Sequence, residues 1–302
     1  MSSSRSIEDL ISRIREDRIH GASQLARQAV ELIKTAAQKS QSRDAATFRR
    51  EMLEVVSRLK RLRPAMVPIY NLMVKLEDAI VADPADGLES LQLNIIQKVD
   101  SLVKASSAAL SIITSYAVPL LHNRKVVLCH SYSSTVATVL KAAHRLQPLN
   151  VIITKSGAGR TGERLVWELH LDGVPVTFID DTAAGLVMSG VNVVLCGADR
   201  ICADGGLVNG IGTFMIAVTA RRLKVPFYVL CETLKFDRQL MSADVDLEEK
   251  ESTELAPPGT LPDGVTVRNP YFDITPSELI TAIITEKGRL KTRRQKLPGR
   301  DD

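Results

Sequence analysis

The chain has 302 residues, of which 45% are hydrophobic and 25% are charged, and it carries a formal net charge of +4. This composition is that of a soluble globular protein with one large or two ordinary domains. The N-terminus has no apolar leader and no unbroken run of 18 apolar residues occurs, so we expect a cytoplasmic protein that is neither secreted nor inserted in a membrane.

The basic residues are concentrated at the C-terminus. Residues 289–302 hold six basic and two acidic side chains, which accounts for the whole net charge. A basic terminus that also contains Pro and Gly is typical of a solvated tail. We therefore predict a disordered segment at 291–302 and do not expect nucleic acid as a partner.

The first 122 residues have a helical pattern. Apolar residues recur every three or four positions, with Arg and Lys on the opposite face. Pro64, Pro68 and the segment 82–87 interrupt this pattern and separate the helices. The sequence therefore predicts an all-helical N-terminal domain over 1–122.

From residue 125 the pattern changes to short β-branched runs with helical segments between them. The runs are 125–129, 150–154, 174–179, 192–196 and 226–231. Apolar runs of this length that alternate with helices are typical of parallel strands buried on both faces. We predict an α/β fold in which residues 123–290 form a Rossmann-like open parallel sheet.

A glycine-containing segment follows the second predicted strand, at the edge where parallel α/β sheets bind ligands. In SGAGRTG (156–162), the N–H groups around Gly157 and the Arg160 guanidinium could hold a phosphate; the alternative is a flexible turn. The segment does not match the dinucleotide-binding or P-loop glycine patterns, and we see no metal-ligand cluster. We therefore expect no cofactor and no metal.

Two other strand ends carry titratable side chains. Asp199 is either a turn-forming or capping residue or a general acid or base at a ligand site. His130, beside Ser131, is either a proton carrier or a hydrogen-bonded structural residue. Asn209 and Thr213 are placed at the start of the next helix, where they cap it or bind ligand.

The four cysteines are widely spaced and form no C-x-x-C pair. We predict that they are buried free thiols that pack as small apolar groups rather than disulfides or zinc ligands. They are Cys129, Cys196, Cys202 and Cys231.

Several segments resemble one known family. They are DRIHGASQLARQA (17–29), RLRPAMVPIYNLM (61–73), GADRICADGGLVNGIGT (197–213), VPFYVLCETLKF (225–236) and NPYFDITPSELITAIITEKG (269–288). The family unites the alpha, beta and delta regulatory subunits of translation initiation factor 2B with methylthioribose-1-phosphate isomerase and ribose-1,5-bisphosphate isomerase. The resemblance covers about residues 17–290 and is most similar to the ribose-1,5-bisphosphate isomerase branch.

This resemblance implies a helical domain followed by a Rossmann-like domain, a homodimer or dimer-based oligomer, and a small phosphorylated sugar or nucleotide as ligand. Initiation factor subunits are a second class of partner. In the isomerases of the family, an aspartate matching Asp199 and a cysteine at position 131 exchange protons while an aldose phosphate becomes a ketose phosphate. The residues expected to bind substrate are Gly21, Ala22, Arg63, Gly157, Arg160, Asn209 and Lys235. Asn71, Asp181 and Asp273 also match the family.

Three positions and one loop differ from the family pattern. Ser131 replaces the cysteine, and an unassisted hydroxyl is a far weaker acid than a thiol, whose ordinary pKa is about 8.5. Gly210 replaces a lysine and His20 replaces an arginine. The loop at 155–158 lacks a phosphate-binding arginine, for which Arg160 could substitute.

The sequence leaves three hypotheses open. The first is a phosphosugar isomerase of the ribose 1,5-bisphosphate type, in which Asp199 moves the proton with help from His130 or Ser131. The second is a non-catalytic regulatory subunit of the initiation factor 2B type that keeps a sugar-phosphate or nucleotide pocket. The third is a paralogue with an unrelated ligand.

Overall fold

The computed structural model describes residues 6–17, 21–63, 66–247 and 249–290. His20, Pro64 and the tail at 291–302, for which predictions were made above, lie outside these residues. The chain divides into two compact units, Met1–Ala109 and Leu110–Asp302. The division falls within a long helix, whereas the sequence pattern alone places the boundary at residue 122.

The first unit is built from helices, as predicted. The helices are α1 (Ile7–Glu16), α2 (Ala22–Lys39), α3 (Ala45–Lys60), α4 (Val67–Ala82) and α5 (Leu88–Ala117), whose last residues belong to the second unit. Ser6 and Asp9 form a capping box that satisfies free N–H groups at the start of α1. Leu25, Ala29 and Ile33 on α2 are fully buried, so one apolar face of this helix contributes to the core.

One helix, α5, has the length of a membrane span. Leu88–Leu121, which is α5 with the 3-10 turn that follows it, could cross a membrane by length and composition alone. Charged residues such as Asp100 and Lys104 interrupt this segment, so it contains no unbroken run of 18 apolar residues. A single helix of this kind is weak evidence, since core helices of soluble proteins meet the same criterion.

The second unit contains a seven-stranded sheet in the order β10-β9-β7-β4-β1-β2-β3. Its strands are β1 (Val126–Cys129), β2 (Asn150–Thr154), β3 (Val176–Ile179), β4 (Val193–Cys196), β7 (Phe227–Leu230), β9 (Ala282–Thr285) and β10 (Gly288–Leu290). Neighbouring strands are parallel except for β10, which is antiparallel to β9. The predicted open parallel sheet is therefore confirmed.

The remaining elements of this unit connect or extend the sheet. The helices are α6 (Ser134–Leu146), α7 (Thr161–Leu171), α8 (Ala184–Val187), α9 (Thr213–Arg222) and α10 (Ser252–Leu255). A separate antiparallel sheet has the order β5-β6-β8 and consists of β5 (Arg200–Ile201), β6 (Leu207–Gly210) and β8 (Phe272–Thr275).

Most strands of the large sheet are buried on both faces because helices cover each side. Val127 and Cys129 pack with side chains of α6 and α7, whereas Leu128, between them, packs with side chains of α8 and α9. The expectation of two buried faces is wrong for β3, in which Thr177 and Phe178 are exposed. This strand is the last in the sheet, so it has a neighbour on one side only.

The strand order places two site candidates side by side. After β3, at one edge of the sheet, the chain returns to the middle and adds β4 on the other side of β1. The ends of β1 and β4 are therefore neighbours at a point where the strand order reverses. Open α/β sheets bind ligands at such switch points, and here His130 and Ser131 follow β1 while Asp199 follows β4.

Candidate functional site

His130 is fixed inside the protein by both of its ring nitrogens. Its Nε2 lies 2.8 Å from the Ile211 carbonyl oxygen and its Nδ1 lies 2.6 Å from Thr154 Oγ1. A carbonyl oxygen can only accept, so Nε2 carries the proton and Nδ1 accepts from the Thr154 hydroxyl. Burial lowers the pKa of His130, although the nearby Asp181 carboxylate opposes this shift. The geometry therefore favours a structural role for His130 over a role as a proton carrier.

Ser131 adopts a left-handed backbone conformation, with φ of +64°. Its N–H donates to Ser156 Oγ over 2.7 Å, and its hydroxyl lies 3.2 Å from Thr161 Oγ1. A Cβ atom at Gly210 would lie 3.0 Å from Ser131 Oγ. The two positions at which this chain departs from the family, 131 and 210, are thus in direct contact.

The glycine-containing segment forms the loop between β2 and α7, as predicted. The N–H groups of Ser156 and Gly157 both donate to the Asp181 carboxylate over 2.7 Å. These two groups are therefore paired with a side chain of the protein, and they do not form the open phosphate cradle that the sequence suggested. Arg160 is exposed and forms an ion pair with Glu163.

Asp199 lies just beyond β4, and its N–H donates to the Val208 carbonyl over 3.0 Å, which fixes its backbone. Burial raises the pKa of the Asp199 carboxyl, and the positive charge of Lys235 opposes that shift. Lys235 closes the 3-10 turn Thr233–Lys235 after β7 and is only 7% exposed. The Asp199 carboxyl and the Lys235 ammonium group therefore interact electrostatically.

Asn209 lies in strand β6 rather than at the start of the next helix, so that prediction is wrong. It is buried, and its side-chain amide donates to Thr213 Oγ1 over 3.0 Å. Thr213 is the first residue of α9, as expected. The misplacement arose because the sequence around Asn209 is rich in glycine, which indicates a loop, whereas pairing with β8 makes it a strand.

The start of α9 is held by Asp273, which faces Asn209 across the strand pair β6–β8. Its carboxylate accepts the N–H groups of Gly212 and Phe214 at 2.8 and 3.1 Å. Burial raises the pKa of Asp273 to about 6, while the two backbone hydrogen bonds act in the opposite direction. The free N–H groups at this helix end are therefore occupied by the protein's own carboxylate.

Close backbone contacts bring the three strand-end loops together. A Cβ atom at Gly212 would lie 2.9 Å from the His130 ring, and one at Gly157 would lie 2.8 Å from Ile211 Cγ2. Gly212 also has φ of +103°, so both space and backbone conformation require glycine there. Gly212, one of the glycines after Asp199, thus allows the chain to pack closely against His130.

Three of the predicted substrate-binding residues belong to the first unit. Gly21 is the N-cap of α2, Ala22 is its first residue, and the Arg63 guanidinium donates to the Asp17 carbonyl oxygen over 2.6 Å. Asp181 and Asp273 match the family pattern, but the sequence predicts no role for them in the site. No role is predicted for Thr154 either. The sequence feature that could have identified these three residues is that each is a polar residue in or just after a strand.

The four cysteines are free and buried, as predicted. Burial raises the pKa of the Cys129 thiol. Its side chain packs with apolar side chains of α6 and α7 on one face of the large sheet. Within the described ranges, no three His, Cys, Asp or Glu side chains form a group that could hold a metal ion.

Fold and site together define an α/β protein whose titratable residues lie at the switch point of an open parallel sheet, preceded in the chain by a set of helices. The chain belongs to the Initiation factor 2 subunit family, whose sequence profile matches residues 18–292. The resemblance noted in the sequence is thereby confirmed.

The relatives include both enzymes and an initiation factor. The chain is 31% identical to 5-deoxyribose 1-phosphate isomerase of Moorella thermoacetica, over 95% of this chain and 86% of that protein. It is 32% identical to ribose 1,5-bisphosphate isomerase of Pyrococcus furiosus, over 94% of this chain and 90% of that protein. The crystal structure of Pyrococcus horikoshii translation initiation factor eIF-2B matches with a TM-score of 0.81 at 27% identity, over 96% of this chain and 98% of that one.

Proposed function

We propose that the protein is a sugar-phosphate isomerase that converts an aldose phosphate into the corresponding ketose phosphate. The observation that carries this proposal is the pair Asp199 and Lys235, a carboxyl with a raised pKa near a buried ammonium group at the switch point of the sheet. The identities to two sugar-phosphate isomerases support the same class of substrate.

Isomerisation rearranges hydrogen without changing the formula of the sugar. In a sugar 1-phosphate, O1 keeps its phosphate while the bond between C1 and the ring oxygen O4 breaks and O4 takes up a proton. A proton then leaves C2, a proton is added to C1, and O2 loses its hydroxyl proton as it becomes the carbonyl oxygen of the ketose. A carboxyl with a raised pKa suits both proton transfers, because its ionised form is a stronger base than an ordinary carboxylate and its protonated form can return the proton. We assign this role to Asp199. Lys235 binds the phosphate or stabilises the negative charge that develops on the sugar oxygens.

Ser131 and His130 have supporting roles in this proposal. The Ser131 hydroxyl forms a hydrogen bond with the sugar, since it is too weak an acid to exchange the carbon-bound proton. His130 positions the surrounding loops, because both of its nitrogens are engaged within the protein. The remaining substrate contacts are proposals carried over from the sequence, at Gly21, Ala22, Arg63, Arg160 and Asn209. Gly157 is not among them, because its N–H group donates to Asp181.

Conversion of the sugar tests this proposal. The full chain is incubated separately with ribose 1,5-bisphosphate and with 5-deoxyribose 1-phosphate, and the products are followed by ³¹P nuclear magnetic resonance. We expect a ketose phosphate from at least one of them and a rate at least ~100-fold lower for Asp199→Asn. Asp263→Asn, which changes an exposed loop carboxylate, is the matched control and keeps the rate of the unmodified protein. Equal rates for Asp199→Asn and the unmodified protein contradict the proposal.

A regulatory subunit of the initiation factor 2B type is the second candidate. It is favoured by Ser131 and Gly210, which stand where the isomerases of the family are expected to have Cys and Lys, and by the match to the Pyrococcus horikoshii factor. Affinity purification of the tagged protein from its own host, followed by mass spectrometry, separates the candidates. Recovery of initiation factor 2 subunits supports the second function, and their absence argues against it.

We also propose that the protein is a homodimer in the cytoplasm. The outer face of α9 exposes Phe214, Met215 and Val218 to between 43 and 48%, and neighbouring apolar side chains of this kind are common at protein interfaces. Four free thiols fit a reducing compartment.

A further inference from the structure

A chain of hydrogen bonds links the ends of three adjacent strands. It starts at Asp181, just after β3, whose two carboxylate oxygens accept the N–H groups of Ser156 and Gly157 after β2. Ser156 Oγ in turn accepts the N–H of Ser131 after β1 over 2.7 Å. The Asp181 carboxylate also lies 3.9 Å from His130 Nδ1. One side chain therefore influences the backbone on all three loops.

The residues in this chain hold unusual backbone conformations. Ser131, Ser156 and Gly157 have φ of +64°, +70° and +66°. A left-handed conformation is unfavourable for a residue with a Cβ atom and persists only where the surroundings hold it. Two hydrogen bonds to a charged acceptor are strong enough to do so.

We propose that Asp181 is a positioning residue, whose carboxylate holds the loop after β2 so that Ser156 fixes the left-handed conformation of Ser131. This conformation places the Ser131 hydroxyl beside Thr161 and Gly210. Asp181 thus acts on the side chain at position 131 without touching it. The inference rests on the proposed function only in that Ser131 is taken to contact the sugar phosphate.

The test compares two neighbouring carboxylates. Asp181→Asn removes one acceptor and turns an amide N–H₂ toward a backbone N–H. Asp180→Asn is the matched control, because Asp180 accepts hydrogen bonds from Thr182 in its own turn and is exposed. Asp181→Glu keeps the negative charge but moves the carboxylate farther from the backbone of residue 181. It is the second variant, for use if the Asp181→Asn protein does not fold.

The decisive readout is the Ser131 amide, observed by hydrogen exchange in the full chain. We expect Asp181→Asn or Asp181→Glu to speed exchange at Ser131, Ser156 and Gly157 by about tenfold or more, and Asp180→Asn to leave all three unchanged. Faster exchange at Ser156 and Gly157 with no change at Ser131 overturns the inference.

A double-mutant cycle tests the same link through stability. Glycine adopts φ near +64° without cost, so Ser131→Gly removes the need to hold that residue. We expect Asp181→Asn to shift the urea midpoint less in the Ser131→Gly protein than in the unmodified one. Equal shifts contradict the inference. Hydrogen exchange and the urea midpoint do not depend on catalysis. Both therefore test the role of Asp181 even if the protein shows no isomerase activity.

Discussion

Asp199 and Ser131, which follow two neighbouring strands, differ in their ability to transfer a proton. Asp199 is a carboxyl that burial has moved toward the neutral form, whereas Ser131 is a hydroxyl that cannot exchange a proton on its own near neutral pH. The site thus has one group suited to proton transfer, and any contribution from position 131 must come from hydrogen bonding.

Ser131→Cys tests whether a thiol at this position restores a second proton-transfer group. We expect the rate of aldose phosphate isomerisation to rise about tenfold or more, because a thiol with a pKa near 8.5 exchanges protons far better than a hydroxyl. Steady-state kinetics with ribose 1,5-bisphosphate measures the effect, and Ser131→Ala is the control that lacks either group. A cysteine protein no faster than the alanine protein contradicts this assignment.

Asp273 makes stability depend on pH. Its pKa is about 6 in the folded protein and 3.8 in a model carboxyl, so the folded state binds the proton more tightly. Stability from this group is therefore greatest at low pH and falls as pH rises from about 4 to 6, by at most about 3 kcal/mol. Urea unfolding at pH 4, 5 and 6 should show this decline, and Asp273→Asn should remove it. If the free energy of unfolding of Asp273→Asn still falls with pH by the same amount, other groups cause the decline.

The types of side chain at the site can be predicted from the sequence, whereas their hydrogen-bond partners cannot. Asp199, His130 and Lys235 follow predicted strands, and parallel topology requires strand ends to meet at one edge. That His130 is bonded at both nitrogens could not be predicted, because Thr154 and the Ile211 carbonyl reach it from other strand ends. The same holds for Gly157, whose N–H is taken by a carboxylate from the next strand.

At the scale of elements, the start of α7 packs directly on the end of β2. A Cβ atom at Gly162 would lie 1.9 Å from the Thr154 carbonyl oxygen, so any side chain there forces the helix away from the sheet. We expect Gly162→Ala to lower the free energy of unfolding by about 1–3 kcal/mol or more.

The control for this prediction is Gly185→Ala in α8, where nothing lies within 4 Å of the added Cβ atom. That change should be neutral or stabilise by up to about 1 kcal/mol, because alanine favours helix. Urea denaturation measures both variants. Similar effects from the two substitutions would contradict the packing described for α7.

The five predicted strands are all present, and their bounds differ from the sequence pattern by at most two residues. Long β-branched runs identify such strands because burial on both faces requires them. β5 and β6 are not predicted because β5 has two residues and β6 contains Asn and Gly. They are strands because β5 pairs with β6 and β6 pairs with β8. The exposure of β3 follows from its place at the edge, which local sequence does not encode.

At the scale of the whole molecule, the α9 face predicts self-association. Light scattering during size-exclusion chromatography should give about twice the chain mass of 33.1 kDa. Val218→Asp, which places a charge on this face, should shift the protein toward the monomer, while Val265→Asp in an exposed loop should not. A monomer at all concentrations in the unmodified protein contradicts the dimer.

The most direct test of the central claim, proton transfer by Asp199 to a sugar carbon, is isomerisation in deuterium oxide. The ketose phosphate formed from ribose 1,5-bisphosphate is analysed by mass spectrometry. We predict one carbon-bound deuterium in the product of the unmodified protein, because the carboxyl exchanges its proton with solvent, and almost no product from Asp199→Asn. A product that forms without deuterium, or that forms as fast with Asp199→Asn, would contradict the account.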